Sequence, residues 1–217
     1  MMVNKAKIII GIDEVGRAAK RRASPNHFLI GIDEVGRGPL AGPLTVGAVG
    51  AHRDTNVRRT LKGIKDSKQL TPKQREVWYK KIKSEPRFLI ACASLSPTFI
   101  DKRGMAFSLR VAVERCLKRL SVKQNSCRIL LDGGLHAPKA YTNQLTIIRG
   151  DEHEPLIAAA SIIAKVTRDR YMVRMHKKYP KYGFANHKGY GTRAHFAAIR
   201  KNGFCKIHRK TFCTRII

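Results

Sequence analysis

Acidic residues are scarce in this sequence for its size. Among 217 residues there are 15 Asp and Glu against 44 Lys and Arg, a formal charge of +29. So lopsided a balance argues against cationic partners and favours polyanions. Nucleic acid is the first candidate, because each phosphate a protein neutralises releases counterions. An anionic membrane is a weaker one, since no basic amphipathic helix stands apart from the rest. Long apolar runs are also missing. No stretch of 18 such residues occurs, so no membrane span is expected. Near the N-terminus, Lys5 and Lys7 precede Ile8-Ile9-Ile10, but Asp13 and Glu14 follow at once, which makes a poor signal peptide. Cysteine is sparse and odd in number. Cys92, Cys116, Cys127, Cys205 and Cys213 contain no Cys-x-x-Cys and read as reduced thiols of a cytoplasmic protein. Cys205, His208 and Cys213 match no common zinc spacing and lack a fourth ligand.

What is present begins with a repeat. Ile10-Gly11-Ile12-Asp13-Glu14-Val15-Gly16-Arg17 recurs as Ile30-Gly31-Ile32-Asp33-Glu34-Val35-Gly36-Arg37. It occurs only twice, so it is a duplicated segment and not a solenoid. The second copy runs into Gly38-Pro39-Leu40-Ala41-Gly42-Pro43 and then an apolar stretch, the context of a strand that turns and pairs. The first runs into Ala18-Ala19-Lys20-Arg21-Arg22-Ala23-Ser24-Pro25, a basic linker containing a breaker. Residues 1–27 therefore read as an appended segment, flexible in part, and 28–217 as one domain of a size that can bury a substantial core.

Within that domain, residues 28–33 and 44–51 read as paired strands, and 87–95 as a third. Thr71-Pro72 opens a helix, with Thr71 as N-cap and Pro72 in the first turn. Apolar positions at helical spacing predict a helix from Thr98 to Leu120. Short strands follow at Arg128–Leu131 and at Thr146–Ile148. A long helix spans Pro155 to about Tyr179, with Leu156, Ala160, Ile163, Ala164, Thr167, Tyr171 and Met175 on one stripe. A short helix falls near 192–202. Strands first, then strands alternating with helices, indicate an α/β domain with a mixed sheet.

The few acids fall at informative places. Asp33 and Glu34 end the first strand, Asp132 ends a later one before Gly133-Gly134, and Asp151 ends another before the long helix. Carboxylates at strand ends can converge at one edge of a sheet, where they repel one another unless a cation sits among them. Oxygen donors select Mg²⁺ or Mn²⁺. Two such ions about 3.5–4 Å apart would hold a phosphodiester for in-line attack by water. Plainer readings exist for each acid. Asp132 before Gly can be a turn residue, and Asp151 a helix-start acid with Glu152 and Glu154 as rivals. Asp169 is a further rival, but mid-helix and flanked by Arg168 and Arg170 it reads as part of an ion pair. Adjacent strand residues point to opposite faces, so Asp33 and Glu34 share a site only if the strand ends or bulges there.

Taken together, GIDEVGRGPLAGPL at 31–44, Asp66-Ser67-Lys68-Gln69-Leu70-Thr71, Leu131-Asp132-Gly133, Gly150-Asp151 followed by IAAASIIAKVTRDR at 157–170, His187-Lys188-Gly189-Tyr190-Gly191-Thr192 and His208-Arg209-Lys210-Thr211-Phe212 resemble, in order and spacing, the motifs of the ribonuclease HII family. The resemblance covers about residues 28–213. It implies a ribonuclease H-like mixed sheet flanked by helices, with a small helical C-terminal part, in a protein that is usually monomeric. It implies an endonuclease acting on RNA–DNA hybrids and on single ribonucleotides in duplex DNA, cutting on the 5′ side of the ribonucleotide to leave 3′-hydroxyl and 5′-phosphate ends. By the same resemblance Asp33, Glu34, Asp132 and Asp151 would be the catalytic, metal-binding carboxylates. Gly36-Arg37-Gly38 would sense the ribose 2′-hydroxyl, since glycines admit a sugar close to the backbone and the 2′-hydroxyl separates RNA from DNA. Arg37 and Lys68 would contact phosphates near the cut and Lys188 another. Tyr190, otherwise an ordinary packed aromatic, would stack on the following deoxyribose. The related ribonuclease HIII fits less well, because the Gly-Arg-Gly loop is present and an extra N-terminal domain is not. Two other classes share parts of the pattern. A binding protein without catalysis would need a broken carboxylate set, and a strand-transfer enzyme on the same sheet would need neither the Gly-Arg-Gly loop nor the tyrosine. The Asp13-Glu14 copy, without the second glycine of the loop, is expected to be non-catalytic.

Overall fold

The computed structural model describes residues 27–214, so the appended N-terminal copy of the repeat lies outside the described residues apart from His27. His27 is tied to the domain, its N–H donating to Ser126 O and its carbonyl accepting from Arg53 N–H, each at 2.8 Å.

Five strands make one mixed sheet in the order β3-β2-β1-β4-β5. They are β1 Phe28–Val35, β2 Leu44–His52, β3 Phe88–Leu95, β4 Cys127–Asp132 and β5 Gln144–Ile147. The first three form an antiparallel meander, whereas β4 runs parallel to β1 and β5 parallel to β4. Among them run helices α1 Val57–Thr60, α2 Pro72–Ser84, α3 Pro97–Arg103, α4 Met105–Leu120, α5 Gly150–His153, α6 Pro155–Lys178, α7 Phe184–His187 and α8 Arg193–Asn202. The N-terminus of α2 carries a full capping box: Thr71 Oγ1 accepts from Gln74 N–H, and Gln74 Oε1 accepts from Thr71 N–H. None of the helices among the described residues is long and apolar enough to cross a membrane.

The period-2 alternation of the strands sorts the core into two layers. Ile30, Ile32, Val46, Ala48, Ile129 and Leu131 face α3 and α4, where Ile100, Leu109, Val113 and Leu117 cover them. Val49, Ala51 and Phe88 face the other way, onto Leu156, Ala159, Ala160 and Ile163 of α6 and Ile82 of α2. Near its start α6 is buried on nearly every side, with every residue from Leu156 to Ala164 inside, and beyond Ala164 the buried residues are Val166, Arg168 and Met172, with Thr167, Tyr171 and Met175 of the expected stripe only partly covered. The helix lies unusually close to the sheet because two strand positions lack a side chain. A Cβ on Gly31 would sit 2.3 Å from the carbonyl carbon of Leu156, and one on Gly47 would sit 2.3 Å from Ala160 O.

β1 runs on to Val35 past its expected end at residue 33, and two other boundaries differ from those expected. The single helix expected from Thr98 to Leu120 is two, parted at Gly104, whose φ of +76° no helix can carry. The fifth strand comes earlier than 146–148, at Gln144–Ile147, and Ile148 stands 82% exposed beyond it. A C-terminal lobe packs around Ala41, Met172, Tyr182, Phe184 and Ile207, and around Leu40, Ile199 and Cys213, at the end of the sheet where β1 turns into β2.

Candidate active site

Near the C-terminal end of β1 and β4 the parallel pairing sets Ile32 beside Leu131, so the next residues, Asp33 within β1 and Asp132 at the end of β4, lie on the same face. That face is the one α6 covers. Asp151 reaches it from the short helix α5, not from a strand end, and is buried. One carboxylate oxygen from each of Asp33, Asp132 and Asp151 lies within 4.8 Å of the other two.

Glu34 is placed differently. The strand neither ends nor bulges at the dipeptide, since the β1–β2 register continues through Glu34 opposite Val46 and Val35 opposite Thr45. Glu34 therefore turns to the opposite face, where its Oε1 accepts from Arg37 Nη1 at 3.2 Å. Its Oε2 is buried with no hydrogen-bond partner. An unpartnered buried carboxylate oxygen is costly unless something positive approaches it.

Electrostatics follow from this crowding. Burial, then the charge of Glu34, pushes the Asp33 carboxyl well above its ordinary range, against the pull of a Ser161 hydrogen bond. Asp132 is raised by burial and by Asp151, although Gly150 N–H donates to its Oδ1 at 2.7 Å. Burial also raises Glu34, and the Arg37 guanidinium offsets only part of that. One cation stands at the cluster: Lys68 Nζ lies 3.2 Å from Asp151 Oδ2. Burial works against its charge, but its bonds to Asp151 and the field of Asp66 keep the ammonium above its usual value.

The segment that delivers Lys68 is fixed from several sides. Asp66 Oδ1 accepts from Lys68 N–H at 3.0 Å, the Ser67 and Ser161 hydroxyls pair at 2.8 Å, and Arg75 Nη1 donates to the carbonyls of Ser67 and Leu70. Asp66 is itself a buried acid close to Asp151, raised by burial. Its place beside the cluster was not foreseen from sequence, although it opens the Asp-Ser-Lys motif.

The other residues singled out in the sequence lie around this centre. Gly36 adopts φ +93°, and a Cβ there would meet Arg168 Nε at 2.5 Å and Pro43 O at 2.7 Å. A Cβ on Gly38 would meet nothing within 4 Å, so that side of the loop is open. The Arg37 side chain is half exposed. Lys188, at φ +52°, donates to the Ala185 carbonyl, and Tyr190 is 41% exposed with its ring 5.7 Å from the Arg168 guanidinium. Both line a groove between α2 and α6 that also takes in Arg75, Lys165 and Arg174. The rival acids are accounted for elsewhere. Glu152 pairs with Arg149, and Asp169 pairs with Lys165 one turn back and not with the arginines flanking it. Of those arginines, Arg170 reaches Glu76 on α2, and Arg168 is wholly buried.

Comparison with known proteins agrees with the geometry. The family model of ribonuclease HII matches residues 30–215. The chain belongs to the ribonuclease HII family. It is 43% identical to a ribonuclease HII of Coxiella burnetii over 206 residues, covering 94% of this chain and 88% of that one. It is 40% identical to a ribonuclease HII of Caldicellulosiruptor bescii over 211 residues, 97% and 89% of the two chains. Its fold matches the crystal structure of the ribonuclease H2 from Pyrococcus horikoshii OT3 with a TM-score of 0.69 at 29% identity, covering 87% of this chain and 96% of that one. The ribonuclease HII of Archaeoglobus fulgidus, solved in a complex with PCNA, matches with a TM-score of 0.66 at 26% identity over 84% and 93%. The protein is thus a ribonuclease H, on the mixed sheet flanked by helices that the motifs implied.

Proposed function

We propose that this enzyme hydrolyses the RNA strand of RNA–DNA hybrids and the phosphodiester on the 5′ side of single ribonucleotides embedded in duplex DNA, leaving 3′-hydroxyl and 5′-phosphate ends. The observation that carries this reading is the convergence of Asp33, Asp132 and Asp151 from β1, β4 and α5. The donor set suits hard divalent cations: it is all oxygen, crowded, and pushed by burial toward protonation unless positive charge is supplied. Mg²⁺ and Mn²⁺ both fit that chemistry. A pair of such ions, when bound, supplies an acidified water and neutralises charge on the phosphodiester.

The protein's own groups do the rest. Asp33, Asp132 and Asp151 would hold the ions, and Glu34, on the other face of β1 but close enough for its charge to raise the Asp33 carboxyl, would face them with its unpartnered Oε2 only from the far side of the strand. Lys68 spends one of its three donors on Asp151 and keeps the others for a phosphate. Gly36, Arg37 and Gly38 meet the ribose on the open side of their loop, with the Arg37 side chain toward the adjoining phosphate. Lys188 holds a phosphate further along, and Tyr190 packs against the next sugar and leaves no room for a 2′-hydroxyl.

A duplex DNA carrying one ribonucleotide, incubated with Mg²⁺ or Mn²⁺, tests the reading. The parent should cut once, 5′ of the ribonucleotide, and Asp132→Asn should cut at least about 100-fold more slowly. No cutting by the parent, or equal cutting by the variant, refutes it.

A further inference from the structure

Two arginines are buried beneath the recognition loops without a carboxylate to meet them. Arg168 and Arg209 are both fully buried, and neither makes an ion pair among the described residues. Burial pushes both guanidinium pKa values down, that of Arg209 to about 9. Desolvating a cation is expensive, and hydrogen bonds offset it for Arg209 and in part for Arg168, whose Nη1 is buried without a partner. All the bonds they make go to one stretch of backbone. Arg209 donates to the carbonyls of Gly36 (2.6 Å), Arg37 (2.9 Å) and Gly42 (3.0 Å), and Arg168 to those of Pro43 (3.0 Å) and Ala41 (3.1 Å).

This arrangement decides what the loop shows on its other side. In a trans peptide the C=O and the following N–H point in opposite directions. With the Gly36 and Arg37 carbonyls drawn inward to Arg209, the N–H groups of Arg37 and Gly38 are turned outward. Neither amide has a partner among the described residues, and Gly38 leaves open space beside them.

The same pair reaches the tyrosine. Leu40 and Ala41 N–H donate to Gly189 O at 2.9 and 3.3 Å, and the Arg168 guanidinium lies against the Tyr190 ring. A second path closes the circuit from the far side. His195 Nδ1 bonds Tyr190 O at 2.9 Å, His195 Nε2 bonds His208 Nε2 at 3.1 Å, and Arg209 follows His208 and donates its own N–H to Leu40 O at 2.8 Å. The Gly36–Gly38 loop and Tyr190 thus form one rigid unit with the two guanidinium groups at its centre.

We propose that Arg168 and Arg209 are positioning residues that hold the Gly36–Gly38 loop and Tyr190 at a fixed spacing, so that two adjacent sugars, a ribose and then a deoxyribose, are read together. The proposal rests on the assignment of those two elements to sugar recognition made above. Loosening the unit costs most where both sugars are read at once. A continuous hybrid, in which a ribose follows the ribose, gains nothing from the spacing.

The test compares kcat/KM on a duplex DNA holding one ribonucleotide with kcat/KM on a continuous RNA–DNA hybrid. Arg209→Lys keeps the charge and loses the planar fork that spans three carbonyls. In this variant the ratio of the two values should fall about tenfold or more. Gly189→Ala serves as the second variant, because its Cβ would strike Ala41 O, the acceptor of Arg168 Nη2, at 2.3 Å and part the two loops with both arginines still present. It should move the ratio in the same direction. A folded Arg209→Lys that slows both substrates by one common factor, or leaves the ratio unchanged, overturns the proposal; so does an unchanged ratio in Gly189→Ala, should Arg209→Lys fail to fold. A parent that cuts neither substrate overturns the activity itself, whereas a junction preference that survives both variants overturns only the positioning role.

Discussion

Adding one methyl group at Gly31 or at Gly47 tests the account of how the carboxylates are held. Both glycines lie in central strands beneath α6. The new Cβ of Gly31→Ala would be 2.3 Å from Leu156 C and 2.5 Å from Ile157 N; that of Gly47→Ala would be 2.3 Å from Ala160 O and 3.0 Å from Ala164 N. Every one of those atoms is backbone, so no side chain can rotate away. The helix must lift from the sheet by about 1 Å to reach ordinary contact, at a cost at the upper end of overpacking, about 3 kcal/mol or more. For a domain of this size that corresponds to a fall of roughly 6–12 °C in melting temperature. The lift also reaches the chemistry, because Ser161 on α6 pairs with Ser67, beside Lys68, and lies close enough to Asp33 to pull its carboxyl down. Activity should therefore drop even at temperatures where the variant is folded. Gly38→Ala is the control within the same molecule: its Cβ meets nothing, so stability should stay within about 0.5 kcal/mol of the parent. Urea denaturation of the three variants decides the matter. Gly31→Ala and Gly47→Ala unfolding at the parent's midpoint would show that α6 is not seated on the strands through these two positions.

The remaining expectations can be stated briefly. His195 and His208 are buried, and burial lowers both to about 4. Their folded values lie below the unfolded value near 6.5, so the stability they contribute is complete above that pH and is lost as pH falls toward 4, by up to about 3 kcal/mol for each. Asp33 and Asp132, raised in the folded state, push the other way, gaining stability as pH falls, so the histidine part is read as the difference between parent and His195→Gln in urea midpoints from pH 7.5 to 4.5. Equal pH slopes would remove the histidines from the explanation. Deleting residues 1–26, which leaves the bonds of His27 intact, should keep cleavage of a ribonucleotide-containing duplex within about threefold of the parent. A collapse in that assay would give the appended segment a role that the rest of the molecule does not suggest.

How much of this could be read from sequence depended on whether the signal was local. The paired strands β1 and β2 were legible because a turn-rich Gly-Pro stretch separates two apolar runs, and the start of α2 because Thr71, Pro72 and Gln74 carry their capping roles within four residues. The convergence of Asp33 and Asp132 was legible because both fall near the C-terminal ends of strands, although β1 runs on to Val35 past the end expected for it. Other features were settled by contacts distant in sequence. Gly104 sits in an apolar pattern that continues through it, so only its backbone angle shows that the helix breaks. Asp169 beside two arginines suggested a pairing that the helix geometry gives instead to Lys165, four residues back. The buried positions of Arg168 and Arg209 ran against the expectation that arginine lies outside. Their partners are carbonyls more than 120 residues away along the chain, and no local pattern announces that.

The duplicated dipeptide shows where the information for the site resides. Asp13-Glu14 and Asp33-Glu34 have the same neighbours from the isoleucine before the first glycine to the arginine after the second. On strand propensity alone the two copies are equivalent. What separates them is the segment that follows, which in the second copy must enter the C-terminal lobe. Leu40 and Ala41 are buried there, and Gly42, at φ +88°, leaves no room for a side chain beside Met172. At the corresponding places the first copy has Lys20, Arg21 and Arg22. Setting those side chains into the second copy's position would bury three cations against Arg168 and Arg209, with no acid in contact to receive them. The strand brings the carboxylates, but the loop decides which copy can be seated. The proposed sugar-sensing loop and the seating of the strand that carries Asp33 and Glu34 therefore depend on the same eight residues, Gly36 to Pro43.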